Sequence, residues 1–461
     1  LLVGESIVSR VLISAAHKSS GKTTISIGLC AALHRRGYRV QPFKKGPDYI
    51  DPLWLTKASH KPCYNLDFNT QSHSEITSLW KRCQADADIR FIEGNKGLYD
   101  GVDPMGSDCN AALARLLDVP VILVVDTQGI TRGVAPLVLG YQQFDPNIQL
   151  AGIILNKVAG ERHERKLRAA INEYTDLEVF GAVRRHDDLF IDERHLGLVP
   201  SNEHEFANNK IDVLCEHIDR QIDMDVLVDR LGLQRGDHGS NNHRHALKPG
   251  LRIGIAQDSA FGFYYQDDIN AFQQAGAELV PVDLIHDAVL PEIDGLFIGG
   301  GFPETHMQAL SENRSMRDSV KQAVENNLPV YAECGGLMYL CRKIAWQGED
   351  AHMVGALPAD VVMHERPQGR GYVKLKETQH NLWGVAADRT IPAHEFHHSS
   401  LVEIGDNVEF AYDVIRGKGI TDGKDGMVYR NTLASYAHLR DSHSKHWVTE
   451  FVQFIKSSKE V

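Results

Sequence analysis

Short, almost unbroken apolar runs recur along the first half of the chain and alternate with longer stretches of helical periodicity. Val11-Leu12-Ile13 is the first run; a helix-like segment from Ile25 to Arg36 and a short extended run, Tyr38-Arg39-Val40, follow it. Ile89-Arg90-Phe91-Ile92-Glu93, Val121-Ile122-Leu123-Val124-Val125-Asp126 and Gly152-Ile153-Ile154-Leu155-Asn156 continue the series. Strands that are apolar on both faces lie buried between helices, so the pattern predicts an α/β fold with a doubly wound, mostly parallel sheet. Functional groups of such sheets gather beyond the carboxyl ends of the strands, and Glu93, Asp100 and Asp126 fall there. Between Phe43 and Pro52, two prolines and a glycine predict an irregular loop that carries Asp48 and Asp51.

The pattern breaks at Arg235–His245, a polar stretch without apolar periodicity, and a second series of runs begins beyond it. Leu251–Ala256, Val280-Pro281-Val282, Gly295–Ile298 and Val330-Tyr331-Ala332 read as its strands. The expected organisation is a first domain over residues 11–235, a linker over 236–248 and a second domain over 249–461.

Composition narrows the function classes. A net charge of -12 excludes the basic footprint of nonspecific nucleic-acid binding, while leaving room for a local basic pocket that takes an acidic ligand. Seven cysteines without a C-x-x-C pair suggest a reducing compartment, not a disulfide framework. No apolar run reaches the ~18 residues of a membrane span, so the chain reads as cytoplasmic, with no membrane partner.

Two strand–turn–helix stretches carry chemistry. The first is Ala15-Ala16-His17-Lys18-Ser19-Ser20-Gly21-Lys22-Thr23-Thr24. A small-residue loop opening a helix presents backbone N–H groups to phosphates, Lys22 reaches the outer phosphates, and the Thr23 hydroxyl can ligate Mg²⁺. Ala16 stands where the G-x-x-x-x-G-K-[ST] pattern has its first glycine. Lys18 takes the extra lysine position of the deviant P-loop class, which resembles the partition-ATPase and dethiobiotin-synthetase group. ATP and Mg²⁺ are therefore the expected cofactors, with Lys18, Gly21, Lys22, Thr23 and Thr24 as the nucleotide-binding set.

The second stretch is Pro329-Val330-Tyr331-Ala332-Glu333-Cys334-Gly335-Gly336-Leu337. A thiol at a strand-to-helix turn is exposed to substrate, and the helix N-terminus favours its thiolate. Gly299-Gly300-Gly301 ends an earlier strand, and the backbone N–H groups of Gly300 and Gly301 are oxyanion-hole candidates. His438, in Ser435-Tyr436-Ala437-His438-Leu439, closes a later strand and offers a general base. Nucleophile, base and oxyanion donor in that set point to acyl transfer from a small amide.

These motifs together resemble the cobyrinate a,c-diamide synthase family. Tyr331–Gly336, Gly299–Gly301 and His438 resemble the glutaminase domain of class I glutamine amidotransferases. The first half resembles a dethiobiotin-synthetase-type ATPase. Lys45–Pro52, Gly97-Leu98-Tyr99-Asp100-Gly101 and His394-Glu395-Phe396-His397 complete the family's set, in its order. The resemblance implies a two-site ligase. Cys334 takes ammonia from glutamine, and ATP activates acetate side chains of a tetrapyrrole polycarboxylate for amidation through an acyl phosphate. It also implies roles for Asp48 and Asp100 in the synthetase chemistry, Glu93 as a second carboxylate near Mg²⁺, and Tyr49 at the substrate. The partners expected are glutamine, the tetrapyrrole and a second copy of the chain in a homodimer.

Three departures matter. Arg440 stands where class I amidotransferases carry a glutamate two residues after the histidine, which fits a Cys–His dyad. Asn95-Lys96 replaces an apolar pair before Gly97 and puts Lys96 forward as a substrate residue. Together with Asp126–Gly129, that pair makes siroheme amidation the rival within the family, beside a nickel-sirohydrochlorin amidase of the same architecture. His394-Glu395-Phe396-His397-His398 also satisfies the zinc-protease H-E-x-x-H, but that chemistry needs a helix and the surroundings read as strand. Asn156-Lys157 lacks the aspartate of the guanine-reading N-K-x-D, because residue 159 is Ala. The rival from another class, a partition-type P-loop switch, leaves Cys334 and His438 unused.

Overall fold

A computed structural model describes residues 8–191, 193–194, 197–202, 207–236, 250–384 and 389–459. Apart from Gly236, the linker expected at 236–248 lies outside the described residues. The chain divides into two compact units, one of Leu1–Phe68 with Ser72–Asn242 and one of Asn69–Gln71 with His243–Val461.

The first unit is built on a parallel sheet of β1 (Ser9–Ala15), β2 (Val40–Lys45), β3 (Tyr64–Leu66), β4 (Ile89–Glu93), β5 (Val121–Asp126), β6 (Leu150–Val158) and β7 (Val179–Arg184). Its spatial order is β3-β2-β4-β1-β5-β6-β7, and every neighbouring pair is parallel. Leu12, Ile13, Phe43, Ile92, Leu123 and Val124 are all buried, as strands covered by helices on both faces require. The carboxyl ends of β1, β2, β4, β5 and β6 line up at one edge, which brings together groups far apart in sequence.

One stretch differs from the expectation. Phe43–Pro52 is not an irregular loop throughout, because β2 runs to Lys45 and a helix begins at Ile50. Pro52 sits in the first turn of that helix, where its missing N–H costs no intrahelical bond. Asp48 caps the turn, its Oδ1 accepting from the N–H groups of Ile50 at 3.0 Å and Asp51 at 3.2 Å. The short strands β8 (Glu193–Arg194) and β9 (Gly197–Leu198) form a separate ladder in this unit.

In the second unit the strands are β10 (Leu251–Ala256), β11 (Phe261–Phe263), β12 (Ala277–Val282), β13 (Gly295–Ile298), β14 (Gly300–Gly301) and β15 (Val330–Glu333). Then come β16 (Lys343–Trp346), β17 (Glu349–His352), β18 (Asp360–Met363), β19 (Gly369–Glu377) and β20 (Thr390–His397). The last are β21 (Ser399–Val402), β22 (Glu409–Arg416), β23 (Lys424–Tyr429) and β24 (Thr432–Ser435). A nine-stranded sheet runs β12-β10-β13-β15-β24-β23-β22-β19-β20, parallel as far as β24 and antiparallel beyond it. Phe272, Phe297, Tyr331, Trp447 and Phe451 fill one face with edge-on and stacked rings. Leu296, Ile298, Ala332, Leu337 and Tyr339 belong to the core of the other. The fold is thus α/β in both units. Among the described residues no helix is long and apolar enough to cross a membrane.

Candidate functional site

In the first unit the loop after β1 turns sharply before the helix Lys22–Arg35. Ser19 and Gly21 take left-handed backbone, at φ 64° and 83°. Only glycine suits position 21, since a Cβ there would also fall 2.2 Å from Nδ2 of Asn156. Asn156 donates to the Ser20 carbonyl at 2.8 Å, and Lys157 donates to that of Ser19 at 3.0 Å and to Asp126 at 2.7 Å. The end of β6 therefore braces the loop from outside, which gives Asn156-Lys157 a structural task that needs no N-K-x-D aspartate. Ser19, Gly21, Lys22, Thr23, Thr24, Asn156 and Lys157 line part of a cavity of about 590 Å³ that continues to Arg185, Phe190 and Leu198. Lys18 is exposed on the loop.

Thr23 joins a buried cluster. Its hydroxyl donates to Glu93 at 2.6 Å and to Asp51 at 3.2 Å. Lys44, at the end of β2, lies 2.5 Å from Asp51, 3.2 Å from Glu93 and 3.7 Å from Asp48. Burial alone would lower the Lys44 ammonium, but Asp51, Glu93 and Asp48 hold it well above its ordinary value. Burial lowers Lys22, and the neighbouring Lys44 lowers it further against Glu93, Asp51 and Asp100. Burial raises Glu93, reinforced by Asp51 and opposed by Lys44. Asp48 is raised by desolvation and by Asp51. Glu93 Oε2 is buried with no hydrogen-bond partner among the described residues. An orphaned carboxylate oxygen beside a threonine hydroxyl and a second carboxylate is a donor set suited to Mg²⁺, which takes oxygen ligands.

The other residues expected here lie on the same sheet edge. Tyr49 is buried beside Asp48. The turn after β4 is stapled by Asn110, buried in the helix Asn110–Leu117, which accepts from Asn95 N at 3.2 Å and donates to the Gly97 carbonyl at 2.8 Å. Asp100 is exposed and accepts from Gly97 N at 3.2 Å, closing its own turn. Lys96 is exposed at φ 40°. Lys45 is buried and donates to Asn95 at 3.2 Å; burial lowers its ammonium, and nearby Lys96 adds to this against Asp67 and Asp108. Lys44 and Asn110 are residues that the motifs did not bring out, and Asp51, although named on its loop, was given no role. The Lys44-Lys45 doublet at a strand end was the available signal.

In the second unit, Cys334 stands between β15 and the helix Gly335–Leu340 with φ 48° and ψ -98°, a backbone region that L-residues rarely adopt. Its N–H donates to the Ser435 carbonyl at 2.7 Å, and its Sγ lies 4.0 Å from the Phe396 carbonyl oxygen. The glycines around it allow close approach. A Cβ on Gly336 would meet Ile298 O at 2.2 Å, and one on Gly335 would meet Gly301 N at 3.0 Å. Gly301 is thus beside the elbow, and β14 is pinned to β11 by Phe261↔Gly301 and Phe263↔Gly300.

His438 lies beyond the end of β24, not within a strand. Its segment is bridged to β20, with His438 N donating to the His394 carbonyl at 2.8 Å. The two imidazoles stack with centroids 4.8 Å apart. Burial lowers the His438 imidazole, but the neighbouring Cys334 and Glu333 overcome this and raise it to about 10. Glu333 Oε2 lies 3.4 Å from His438 Nδ1. Arg440 turns elsewhere, pairing with Asp267 and lying 4.9 Å over the Tyr265 ring.

His394 and His397 sit three apart on β20, which sends them to opposite faces. Tyr265 Oη lies 3.2 Å from His394 Nδ1, and His397 Nδ1 lies 2.7 Å from the Ser399 carbonyl. The zinc-pattern histidines are His394 and His398, and they lie on β20 and just past its end, not on a helix; His398 Nδ1 lies 3.2 Å from the His364 carbonyl oxygen.

Comparison with known proteins matches residues 12–199 to the CobQ/CobB/MinD/ParA nucleotide binding domain. Residues 252–445 match the CobB/CobQ-like glutamine amidotransferase domain. The cobyrinate a,c-diamide synthase of Magnetococcus marinus is 43% identical over 97% of each chain. Those of Methanosarcina acetivorans and Caldanaerobacter subterraneus are 40% and 38% identical, over 94% and 96% of this chain and 92% and 97% of theirs.

Proposed function

The chain belongs to the cobyrinate a,c-diamide synthase family and is a glutamine-dependent ligase, and on that premise we propose that it amidates the a and c acetate side chains of cobyrinate. Residues 11–235 would carry the ATP-dependent activation and residues 249–461 the glutaminase, in the cytoplasm. The observation that carries the reading is the occurrence of Cys334 at a strained elbow together with the buried His438, which the Glu333 carboxylate faces at 3.4 Å, in a chain that also holds a phosphate loop.

The chemistry divides between the units. Cys334 transfers its proton to His438, and the thiolate adds to the amide carbon of glutamine. The developing oxyanion falls to the backbone of Gly300 and Gly301. His438 returns the proton to the departing nitrogen, so that ammonia leaves and a glutamyl thioester remains. Water then cleaves the thioester to glutamate and restores the thiol.

At the other site, a carboxylate resists nucleophiles at neutral pH and needs a better leaving group. It attacks the terminal phosphate of ATP, giving an acyl phosphate and ADP. Ammonia then displaces phosphate and forms the amide. Gly21, Lys22 and Thr24 cradle the phosphates, with Lys18 on the exposed side of the loop. Thr23 and Glu93, with Asp51, would hold Mg²⁺, which when bound neutralises phosphate charge. Asp48 and Asp100 flank the acyl-transfer position, and Tyr49 and Lys96 face the macrocycle. Among macrocycles the names of the relatives favour cobyrinate over siroheme.

The test is incubation with ATP, Mg²⁺ and glutamine and either cobyrinate, siroheme or sirohydrochlorin. Mass spectrometry should show OH replaced by NH₂ at two positions of cobyrinate. Amidation of siroheme alone would overturn the substrate, and glutamine-independent ATP hydrolysis without any amide would favour the partition-type switch.

A further inference from the structure

The acidic partner that a class I amidotransferase histidine normally has two residues downstream is missing here, because that position is the buried Arg440. A carboxylate nevertheless faces the imidazole, and it comes from the residue directly before the nucleophile. Glu333 is the last residue of β15 and is 2% exposed. Its Oε1 accepts from the Tyr331 hydroxyl at 2.6 Å and from Leu439 N at 2.8 Å. Its Oε2 is thereby directed to His438 Nδ1, at 3.4 Å.

Successive strand residues point to opposite faces, so neighbours seldom serve one group. The left-handed φ of 48° at Cys334 breaks that alternation directly after the carboxylate that faces His438. The bond from Leu439 N also ties the backbone that carries His438 to the same carboxylate. A burial cost as large as that of a carboxylate needs such a set of donors to be offset.

We propose that Glu333 is a positioning residue for glutamine hydrolysis, holding His438 by Nδ1 so that the ring exchanges its proton with Cys334. Glu333 takes the place of the absent downstream glutamate, and the pair is a triad whose acid and nucleophile are neighbours in sequence. The inference rests on the glutaminase reading of Cys334 and His438. The charged and titratable groups near the imidazole have engagements of their own. His394 stacks on the ring and is held well below its ordinary value by burial, then by His438 and Arg440. Arg440 is committed to Asp267. Asp268, on the helix Gln266–Gln274, accepts from Asp441 N at 2.7 Å and is held above the usual carboxylate range by burial.

Glu333→Gln keeps the volume and removes the charge, and Glu333→Asp keeps the charge one methylene short. For Glu333→Gln the glutaminase kcat should fall about 10²-fold, with little change in KM for glutamine. The basic limb of the pH profile should move down, because the imidazolium loses the charge that stabilises it. Alkylation of Cys334 by iodoacetamide at neutral pH should slow about tenfold, since proton transfer to His438 becomes less favourable. Glu333→Asp should recover part of each effect. A Glu333→Gln enzyme with wild-type kcat, basic limb and alkylation rate overturns the proposal. Equal losses in both variants with an unmoved basic limb also overturn it, as a role in folding alone. A wild-type enzyme that hydrolyses no glutamine, yet slows in alkylation on Glu333→Gln, overturns the proposed function and supports the pairing.

Discussion

A Cβ on Gly300 would lie 2.7 Å from Cε1 of His438, so the glycine strip and the imidazole occupy adjoining space. Gly300 thus serves a steric purpose besides the electrostatic one proposed for it: it leaves room for the imidazole. Gly300→Ala should push His438 away from Cys334 and lower the glutaminase kcat by on the order of tenfold to a hundredfold. Because the displaced group is a side chain and not backbone, the unfolding midpoint should move little. A steady-state glutaminase assay and a urea titration decide it, and wild-type turnover in Gly300→Ala would show that the ring relaxes at no catalytic cost.

Lys22 has a different dependence. It is buried at the start of the first helix, and the proposed function makes it the phosphate-facing cation of the loop. Lys22→Ala should abolish ATP-dependent amidation by either glutamine or ammonia. The thiol of Cys334 should remain open to alkylation by a glutamine analogue, because that chemistry belongs to the other unit. Detectable amide formation at the wild-type rate would remove phosphate activation from the mechanism.

Lys44 carries more of the stability than of the chemistry. With its side chain 4% exposed, it is the common counter-charge of Asp48, Asp51 and Glu93. Lys44→Met leaves three carboxylates to repel one another, and breaking such a buried set costs about 3–5 kcal/mol. Burial already holds Asp48 and Glu93 above their ordinary values, and losing Lys44 raises them further. Raised acids favour the folded state only while protonated. The stability deficit should therefore be smallest below the unfolded carboxylate range and grow as pH rises through the folded values. Urea midpoints without added Mg²⁺ test the sign, and a deficit that shrinks with rising pH would contradict it.

The parts of the fold that were readable in the chain are those set by local patterning. Val121–Asp126 is apolar on both faces because helices cover it on both sides, so its run and its end could be read directly. Lys44 and Asp51 were not readable as a pair, because their meeting depends on where a strand end and a helix start fall in space. The prolines near Asp51 read as breakers, although a first helical turn accepts one. Glu333 stayed hidden for a sharper reason. Strand alternation would send it away from Cys334, and nothing in a list of residues reveals the left-handed φ that cancels the alternation. His438 was found by its motif, but its place in an irregular bridge to His394 follows from tertiary pairing.

The last prediction concerns Lys96, which is exposed on the turn after β4. Its φ of 40° is uncommon for a side chain of this length, and the turn is held in that shape by Asn110 from below. Lys45 lies buried close by and is lowered by burial, so Lys96 is the one of the two lysines exposed at the strand end where the macrocycle's carboxylates would arrive. A lysine ammonium is a compact charge suited to a single carboxylate contact. Lys96→Met should raise KM for cobyrinate by about tenfold, while kcat and the constants for ATP and glutamine hardly change. Because the contact is exposed, the difference between the two proteins should fade as salt is raised. Lys96→Gly relieves the left-handed backbone as well as removing the charge, so it separates the two contributions. If Lys96→Met binds cobyrinate as the wild type does at low salt, the charge plays no part in recognition. If only Lys96→Gly differs from the wild type, the turn's shape and not its ammonium sets the substrate constant.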